Sequence, residues 1–302
     1  MDLKIEIPEV LIAIVNYDGL DDTVNLLNNL KCLSYGRFSI LVVDNGSKNQ
    51  DGLNIIPEKF TDVSVLRLGR NTGFTGGCNA AFKFAMMKGI EYVLILNNDI
   101  EVSADLLEIL IKVIESDSTI ACVGPYVTNM REPHEILFSG GNLNLWTGRA
   151  NSIIKSQEKT GTRVVDWIEG SCMLIRISSL ENVGCMNDQF FIYYEELDLC
   201  YRFNRGGYKC VITSDTRIKH YVSKTVSRPF RTYMQLRNSI LFMRMNARWY
   251  HWYTYLLVYL FYTAPRISGK EFIRNPVKTT SIIFRAIVWN FLNKKNDTQY
   301  LR

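Results

Sequence analysis

The chain has 302 residues, 47% of them hydrophobic and 22% charged, which excludes a disordered or fibrous protein and suffices for one large domain or a domain plus an extension. The net charge of +5 conceals an asymmetry: residues 217–302 carry 16 Lys and Arg against 2 Asp and Glu, and residues 1–216 carry 19 against 28. Seven cysteines, an odd number with no CxxC pair, point to neither a disulfide framework nor a thiolate zinc site and suit buried thiols in a reducing compartment.

In chain order, apolar runs predict strands at Val10–Val15, Phe38–Val43, Val63–Leu68 and Tyr92–Leu96. Between them, helical spacing predicts helices over Thr23–Leu33 and from about Cys78 to Lys88. This alternation predicts an α/β fold with a mostly parallel, Rossmann-like sheet. Each run ends in polar or small residues: Asn16-Tyr17, Asp44-Asn45-Gly46-Ser47, Arg70-Asn71-Thr72-Gly73-Phe74 and Asn97-Asn98-Asp99. Such ends meet at the carboxyl edge of the sheet, where open α/β sheets bind ligands.

Ser103 opens a further helix. Residues 131–163 read as loops or edge hairpins, and Val164–Ile177 as a strand interrupted at Gly170-Ser171. Phe190–Phe203 reads as a turn or strand entering a helix that carries Glu195, Glu196 and Asp198. Tyr208–Thr213 is the last predicted strand, with His220 just beyond it, and from Ser227 onward basic, aromatic helices are expected. Asp2 and Glu6 without a basic stretch do not read as a signal peptide, and the uncharged run Trp249–Pro265 falls short of the ~20 residues of a membrane span.

Several residue groups can carry chemistry. Gly73, Gly76 and Gly77 before a helix would let backbone amides approach a phosphate, or else form a plain tight turn. Asp44 can accept hydrogen bonds from a base or ribose, or form an Asx turn. Asp99 at a strand end can hold a hard divalent cation whose other ligands come from phosphate and water. Carboxylates at 195 and 196, next to the aromatic run Phe190–Tyr194, suit a general base, while Asp198 and Arg202 at i and i+4 suit an ion pair.

In their order and spacing over roughly residues 10–225, these motifs resemble glycosyltransferase family 2, the inverting GT-A enzymes, and their rhamnosyltransferase-like branch. The stretch Gly170-Ser171-Cys172-Met173-Leu174-Ile175-Arg176 belongs to the same pattern. The resemblance implies a GT-A catalytic domain over 1–226, with a donor-binding half about 1–125, an acceptor-binding half about 126–226, and a basic aromatic helical extension over 227–302. It implies donor binding by Val15, Asn16, Tyr17, Asp44, Arg70, Asn71, Gly73, Phe74, Gly76, Asn79, Asn97 and Asn98. Gly170, Ser171, Cys172, Met173 and Trp167 would line the sugar and acceptor pocket. Asp99 and His220 would hold Mg²⁺ or Mn²⁺. Glu196, with Glu195 as the alternative and Asp198 beside them, would supply the base. This chain departs from the pattern at Asn97, where the family's metal-binding motif has an Asp, and at Glu196, where its base is usually Asp.

The implied reaction moves a sugar, rhamnose first, from a nucleotide-diphosphate donor to a hydroxyl of a saccharide acceptor, polyprenyl-linked, in bacterial surface polysaccharide synthesis. The implied donor is a dTDP-, UDP- or GDP-sugar, of which the branch favours dTDP-rhamnose, with a UDP-sugar carrying Gal, GlcNAc or Glc as the alternative. A non-catalytic sugar-nucleotide-binding module is the alternative of another class. For the tail, Trp and Tyr among basic residues suit an anionic membrane surface, placing the protein at the inner face of the cytoplasmic membrane; a helical cap or homo-oligomer interface is the alternative. Nucleic acid is set aside, because it leaves the strand-end motifs of the acidic body unexplained.

Overall fold

The first four parallel strands build the frame that carries the site. They are β1 (Val10–Asn16), β2 (Phe38–Asp44), β3 (Val63–Arg67) and β4 (Tyr92–Asn97). β1 and β4 are buried along nearly their whole length, so both faces are covered and their sequences read as unbroken apolar runs. The connecting helices are α1 (Leu20–Leu30), α2 (Ile55–Lys59) and α3 (Gly73–Lys88). This computed structural model describes residues 7–49, 52–154, 161–221, 227–266, 269 and 276–292.

The sheet continues through β5 (Ile100–Val102), β6 (Ile120–Asn129), β7 (Ile136–Phe138), β10 (Thr162–Val165), β11 (Cys172–Arg176) and β12 (Lys209–His220). Its order is β10-β12-β6-β11-β4-β1-β2-β3, with β5 on β12 and β7 on β6, ten strands in all. β11 runs antiparallel between β4 and β6, which makes the sheet mixed at its centre. Helix α4 (Leu106–Glu115) buries Leu106, Leu107, Leu110, Ile111 and Ile114 on one face, as its spacing requires. A separate hairpin pairs β8 (Gly141–Asn144) with β9 (Arg149–Ser152).

Helices α5 (Ile177–Val183), α6 (Glu195–Arg205), α7 (Arg228–Asn246), α8 (His251–Val258) and α9 (Pro276–Leu292) follow, with a π-helical turn at Tyr259–Thr263 after α8. The chain divides into two interleaved units: residues 1–142, 152–188 and 196–222 form the first, and residues 143–151, 189–195 and 223–302 the second. In the second unit α9 packs on α7, and Trp146 of the hairpin loop stacks edge-on against His251 at 4.8 Å.

Several boundaries differ from the sequence reading, beginning with α1, which spans Leu20–Leu30 rather than Thr23–Leu33. α3 begins at Gly73 rather than Cys78, because Gly76 and Gly77 lie within its first turns. A Cβ on Gly77 would stand 2.6 Å from Val15 Cγ1, so these glycines let the helix approach β1. β12 does not stop at Thr213 but resumes after a bulge between Thr213 and Arg217 and ends at His220. β6, a ten-residue buried strand containing Gly124 and Pro125, is the longest of the elements that sequence reading did not single out; α2, β5 and α5 are others. All seven cysteines are free thiols. Asp2, Glu6, Lys270 and Arg274 lie outside the described residues.

Candidate active site

Register alone brings the strand-end residues together. Asn16 pairs with Asp44, Asp44 with Arg67, and Val15 with Asn97. Asn16 and Asp44 are fully buried polar residues and therefore need partners. The Asn16 amide donates to Asp44 at 3.4 Å and to the Ser47 hydroxyl at 3.2 Å, and its oxygen accepts from Thr23 at 3.0 Å. Ser47 also donates its N–H to Asp44 Oδ1 at 3.2 Å. Asp44 Oδ2 remains buried with no hydrogen-bond partner among the described residues, an acceptor held in place for a donor group. The Asn98 amide donates to the Gly19 carbonyl at 3.0 Å and to Thr23 at 3.2 Å, which braces the turn where Asp18 has φ 53°. Beside this network opens a cleft of about 560 Å³ lined by Asn16, Asp18, Gly19, Ser47, Lys48 and Leu53. That volume lies in the range of small-molecule sites.

The glycine-rich turn is pinned to β2. Asn45 donates to the Gly73 carbonyl at 2.8 Å and accepts from the Thr72 N–H at 2.9 Å, while Asn71 accepts from the Gly73 N–H at 2.8 Å. Gly46 at φ 78° lies so close that a Cβ would overlap the backbone of Arg70. Arg70 itself is exposed, and Tyr17 is half-buried beside Asn16. Asn79 has a different engagement: its amide donates to the Met186 carbonyl and to Asp188, both at 2.8 Å, and its oxygen accepts from the Met186 N–H at 3.0 Å. It ties α3 to the segment that leads toward α6.

Asp99 and His220 are 121 positions apart, and strand pairing joins them. β5 pairs His220 with Ile100, the Tyr221 N–H donates to the Asp99 carbonyl at 2.9 Å, and His220 Nε2 lies 3.2 Å from Asp99 Oδ1. Glu169 stands on the other side of the ring, its Oε1 3.8 Å from Nδ1. Burial alone would lower the His220 pKa, but the Asp99 hydrogen bond and the charges of Asp99 and Glu169 outweigh it and hold the imidazole above its usual value. Burial raises Glu169, and the negative charge of Asp99 adds to this against the pull of His220. Asp22 is also raised, by burial and then by Asp99.

The negative charge of Asp99 raises both Glu169 and Asp22, so this edge is one that a cation would relieve, and a carboxylate suits a hard cation such as Mn²⁺ or Mg²⁺. Among the described residues no three His, Cys, Asp or Glu form a ready-made centre, so a cation held here would have Asp99 and His220 and would need its other ligands from a bound molecule or water.

The Asn97 N–H donates to the Ser171 carbonyl at 3.0 Å, which sets Gly170-Ser171 beside the strand end of β4. A Cβ on Gly170 would stand 3.2 Å from the Phe74 ring and 3.9 Å from Glu196 Cβ, so these three sequence-predicted positions converge. Glu196 Oε2 is buried without a hydrogen-bond partner among the described residues. Burial raises its pKa to about 7, with Cys200 and Glu169 adding to the shift, against the lowering by N–H groups of Glu196 and Leu197. Glu195 is buried at the first position of α6. Asp198 pairs with Arg202 at 2.8 Å, and Arg202 also donates to the carbonyls of Val183, Gly184 and Cys185. That network fastens α6 to the end of α5. Cys172 and Met173 lie buried in β11 opposite Leu96 and Ile95, as sheet core. Trp167 packs on Gly141 and lies 5.0 Å from the Phe138 ring.

Sequence reasoning did not single out Glu169, Asn45, Ser47 and Thr23. Asn45 and Ser47 sit inside a quoted motif as ordinary turn residues, and Glu169 carries no motif, although a carboxylate preceding Gly170 at a strand start was a usable signal.

Comparison with known proteins follows this geometry. The family description "Glycosyl transferase family 2" matches residues 10–184. The low-salt glycan biosynthesis hexosyltransferase Agl10 of Haloferax volcanii is 26% identical over 77% of this chain and 75% of its own. The N-acetylglucosaminyl-diphospho-decaprenol L-rhamnosyltransferase of Mycobacterium tuberculosis is 20% identical over 80% of this chain and 85% of its own. The structure of the mannosyltransferase PcManGT from Pyrobaculum calidifontis, in complex with GDP-Man and Mn²⁺, superposes with a TM-score of 0.60 over 95% of this chain and 88% of that one, at 14% identity. A buried strand-end network, a carboxylate–imidazole pair and a family match over more than half of its length agree: the chain belongs to glycosyl transferase family 2, with the GT-A fold.

Proposed function

We propose that the protein transfers rhamnose from a nucleoside-diphosphate donor, dTDP-rhamnose, to a hydroxyl of a lipid-linked saccharide, with inversion at the anomeric carbon. The observation that carries this reading is Glu196, whose Cβ stands near Gly170 and whose Oε2 is buried with no hydrogen-bond partner among the described residues, with burial raising its pKa to about 7. Such a group is half-ionised near neutrality, as a general base requires. Glu196 takes the proton from the acceptor hydroxyl as that oxygen bonds to the anomeric carbon. The bond from that carbon to the diphosphate breaks on the opposite side, and the nucleoside diphosphate departs. Asn16, Tyr17, Asp44 and Arg70 bind the nucleoside, and Ser171 with Gly170 shapes the sugar side. Asp99 and His220 would hold Mg²⁺ or Mn²⁺, and the cation would neutralise charge on the leaving diphosphate. Rhamnose and a polyprenyl acceptor are favoured by the mycobacterial relative's name.

A thermal-shift panel of dTDP-rhamnose, UDP-galactose, UDP-GlcNAc, UDP-glucose and GDP-mannose, each with and without Mn²⁺, tests the donor. A ligand at ~100 times its Kd adds ~2.7 kcal/mol of stability. A shift with dTDP-rhamnose only in the presence of Mn²⁺ is expected. A shift confined to a UDP-sugar would replace the donor, and none with any donor would favour a non-catalytic module.

The C-terminal unit supports a membrane-facing role. In α8 and the turn after it, His251, Tyr255 and Tyr259 are buried, whereas Tyr253, Leu257 and Phe261, with Trp249 just before α8, recur at four-residue spacing and are 70%, 61%, 78% and 74% exposed. Exposed Arg248 and Arg266 flank this face. A large apolar face rimmed by cations fits an anionic lipid surface. Among the described residues no helix is long and apolar enough to cross a membrane. In the full chain, replacing Trp249 and Phe261 by Ser should weaken co-sedimentation with phosphatidylglycerol vesicles about 100-fold. Unchanged vesicle binding, with a loss of self-association in sedimentation velocity, would assign the face to a homo-oligomer interface.

A further inference from the structure

The segment before α6 has an unusual backbone. Phe191, Tyr193 and Tyr194 have φ of 65°, 68° and 75°, left-handed values that bulky side chains rarely adopt. The Ile192 N–H donates to the Phe190 carbonyl at 2.7 Å, a three-residue turn around the positive φ of Phe191, which is the strained hand of that turn. Such a conformation persists only where its surroundings over-determine it.

The over-determination comes from α7. The buried Asn238 amide donates to the carbonyls of Phe190, Ile192 and Tyr193 at 2.9, 2.9 and 2.6 Å. Arg237 donates to the carbonyls of Gln189 and Phe190 at 2.7 and 2.8 Å, and its Nε donates to Asn238 Oδ1 at 2.8 Å. A third layer stands behind them: Asn290 of α9 donates to the Arg237 carbonyl at 2.9 Å, and the Arg237 guanidinium lies 4.3 Å from the Trp289 ring centre. Five hydrogen bonds from these two adjacent side chains thus end on the carbonyls of four residues, Gln189, Phe190, Ile192 and Tyr193, in the segment that leads without a break into Glu195 and Glu196.

We propose that Asn238, oriented by Arg237, is a positioning residue for the catalytic carboxylate: it holds the left-handed turn 190–194 and so sets how the chain enters α6 at Glu196. This rests on the reading of Glu196 as the base. It gives the C-terminal helices a role in catalysis that is separate from any membrane contact. A chain ended near Ser227 would lose α7 and α9 together, so truncation cannot separate anchoring from activity, and point variants are needed.

The test uses the full chain and compares Asn238→Leu, Asn238→Leu with Phe191→Gly, and Glu196→Gln. Two readouts are taken: kcat and donor KM with the donor that the panel selects, and titration of the Glu196 carboxyl by ¹³C NMR, identified by its loss in Glu196→Gln. The titration needs no donor. Asn238→Leu should lower kcat about 100-fold while donor KM stays within about threefold, the effect of a misplaced group rather than of lost binding. Its Glu196 should titrate below the wild-type value, because the helix start opens to water. Phe191→Gly, which adopts the positive φ without strain, should recover about tenfold in kcat and move the titration back. If Asn238→Leu does not accumulate, Asn238→Ser is read in the same way. A Glu196 that titrates as in the wild type, or no recovery in the double variant, overturns the proposal. Full activity of Glu196→Gln would instead remove the base assignment, which is a separate result on a separate variant.

Discussion

Glu196→Gln should lower kcat about 10³-fold while donor affinity is retained, because a positioned base contributes within a range of ~10²–10⁴ and the amide cannot accept the proton. Direct kinetics with a saturating donor checks this, and transfer within a few-fold of wild type would reassign the base to Glu195. The same substitution has a second expected result of defined sign. The Glu196 pKa is raised from 4.5 to about 7 by burial, so its ionised form is the disfavoured one in the folded protein. Its favourable contribution is complete below the ordinary carboxylate range and is lost as pH rises through about 7. Glu196→Gln removes that loss and should be more stable than wild type at pH 8, by up to about 3 kcal/mol, with the difference vanishing near pH 4. Denaturant midpoints at the two pH values measure it. A variant less stable at pH 8 would mean that the ionised carboxyl has a compensating partner.

Asp99→Asn, and separately His220→Ala, should abolish the Mn²⁺-dependent part of donor stabilisation, worth ~2.7 kcal/mol at 100 times Kd. Asp99 and His220 are the two side chains that meet at 3.2 Å at the end of β12, and no third ligand joins them among the described residues. With no third ligand among the described residues, activity of either variant should fall as with EDTA. Electron paramagnetic resonance of free Mn²⁺ reads binding without turnover. Mn²⁺ retained at wild-type affinity by Asp99→Asn would remove both residues from the metal role. Asp198→Asn is the control: it breaks the pair with Arg202 that holds α6 to the end of α5, and should lower stability while leaving Mn²⁺ affinity unchanged.

The strand-end logic was legible because parallel register does the work. Once β1, β2 and β4 align, Asn16, Asp44 and Asn97 must share an edge, and each of their runs is apolar up to that point. Asp99 and His220 were legible only as separate candidates. Their meeting depends on β12 continuing past a bulge to pair with β5, and neither feature leaves a periodic trace. The start of α3 was read five residues late because glycines signal turns, and only their packing against Val15 and Thr72 explains them as helix. β6 was not singled out because Gly124 and Pro125 break its pattern, although its neighbours in the sheet hold it. Arg237 was counted with the basic tail. Its charge is instead buried, engaged by carbonyls of the 189–190 segment and by Trp289, a role that exists only after α7 has packed. Residues whose function is to hold backbone carbonyls carry no local signature, and Asn45, Asn79 and Asn238 are all of this kind.

The most direct measurement is the pH dependence of kcat for the wild-type enzyme with saturating donor, Mn²⁺ and acceptor. The base reading of Glu196 predicts a rate that rises tenfold per pH unit at low pH and levels off through about pH 7, where this carboxyl ionises. A rate that is flat from pH 5 to 9, or that already levels off in the ordinary carboxylate range, would contradict it.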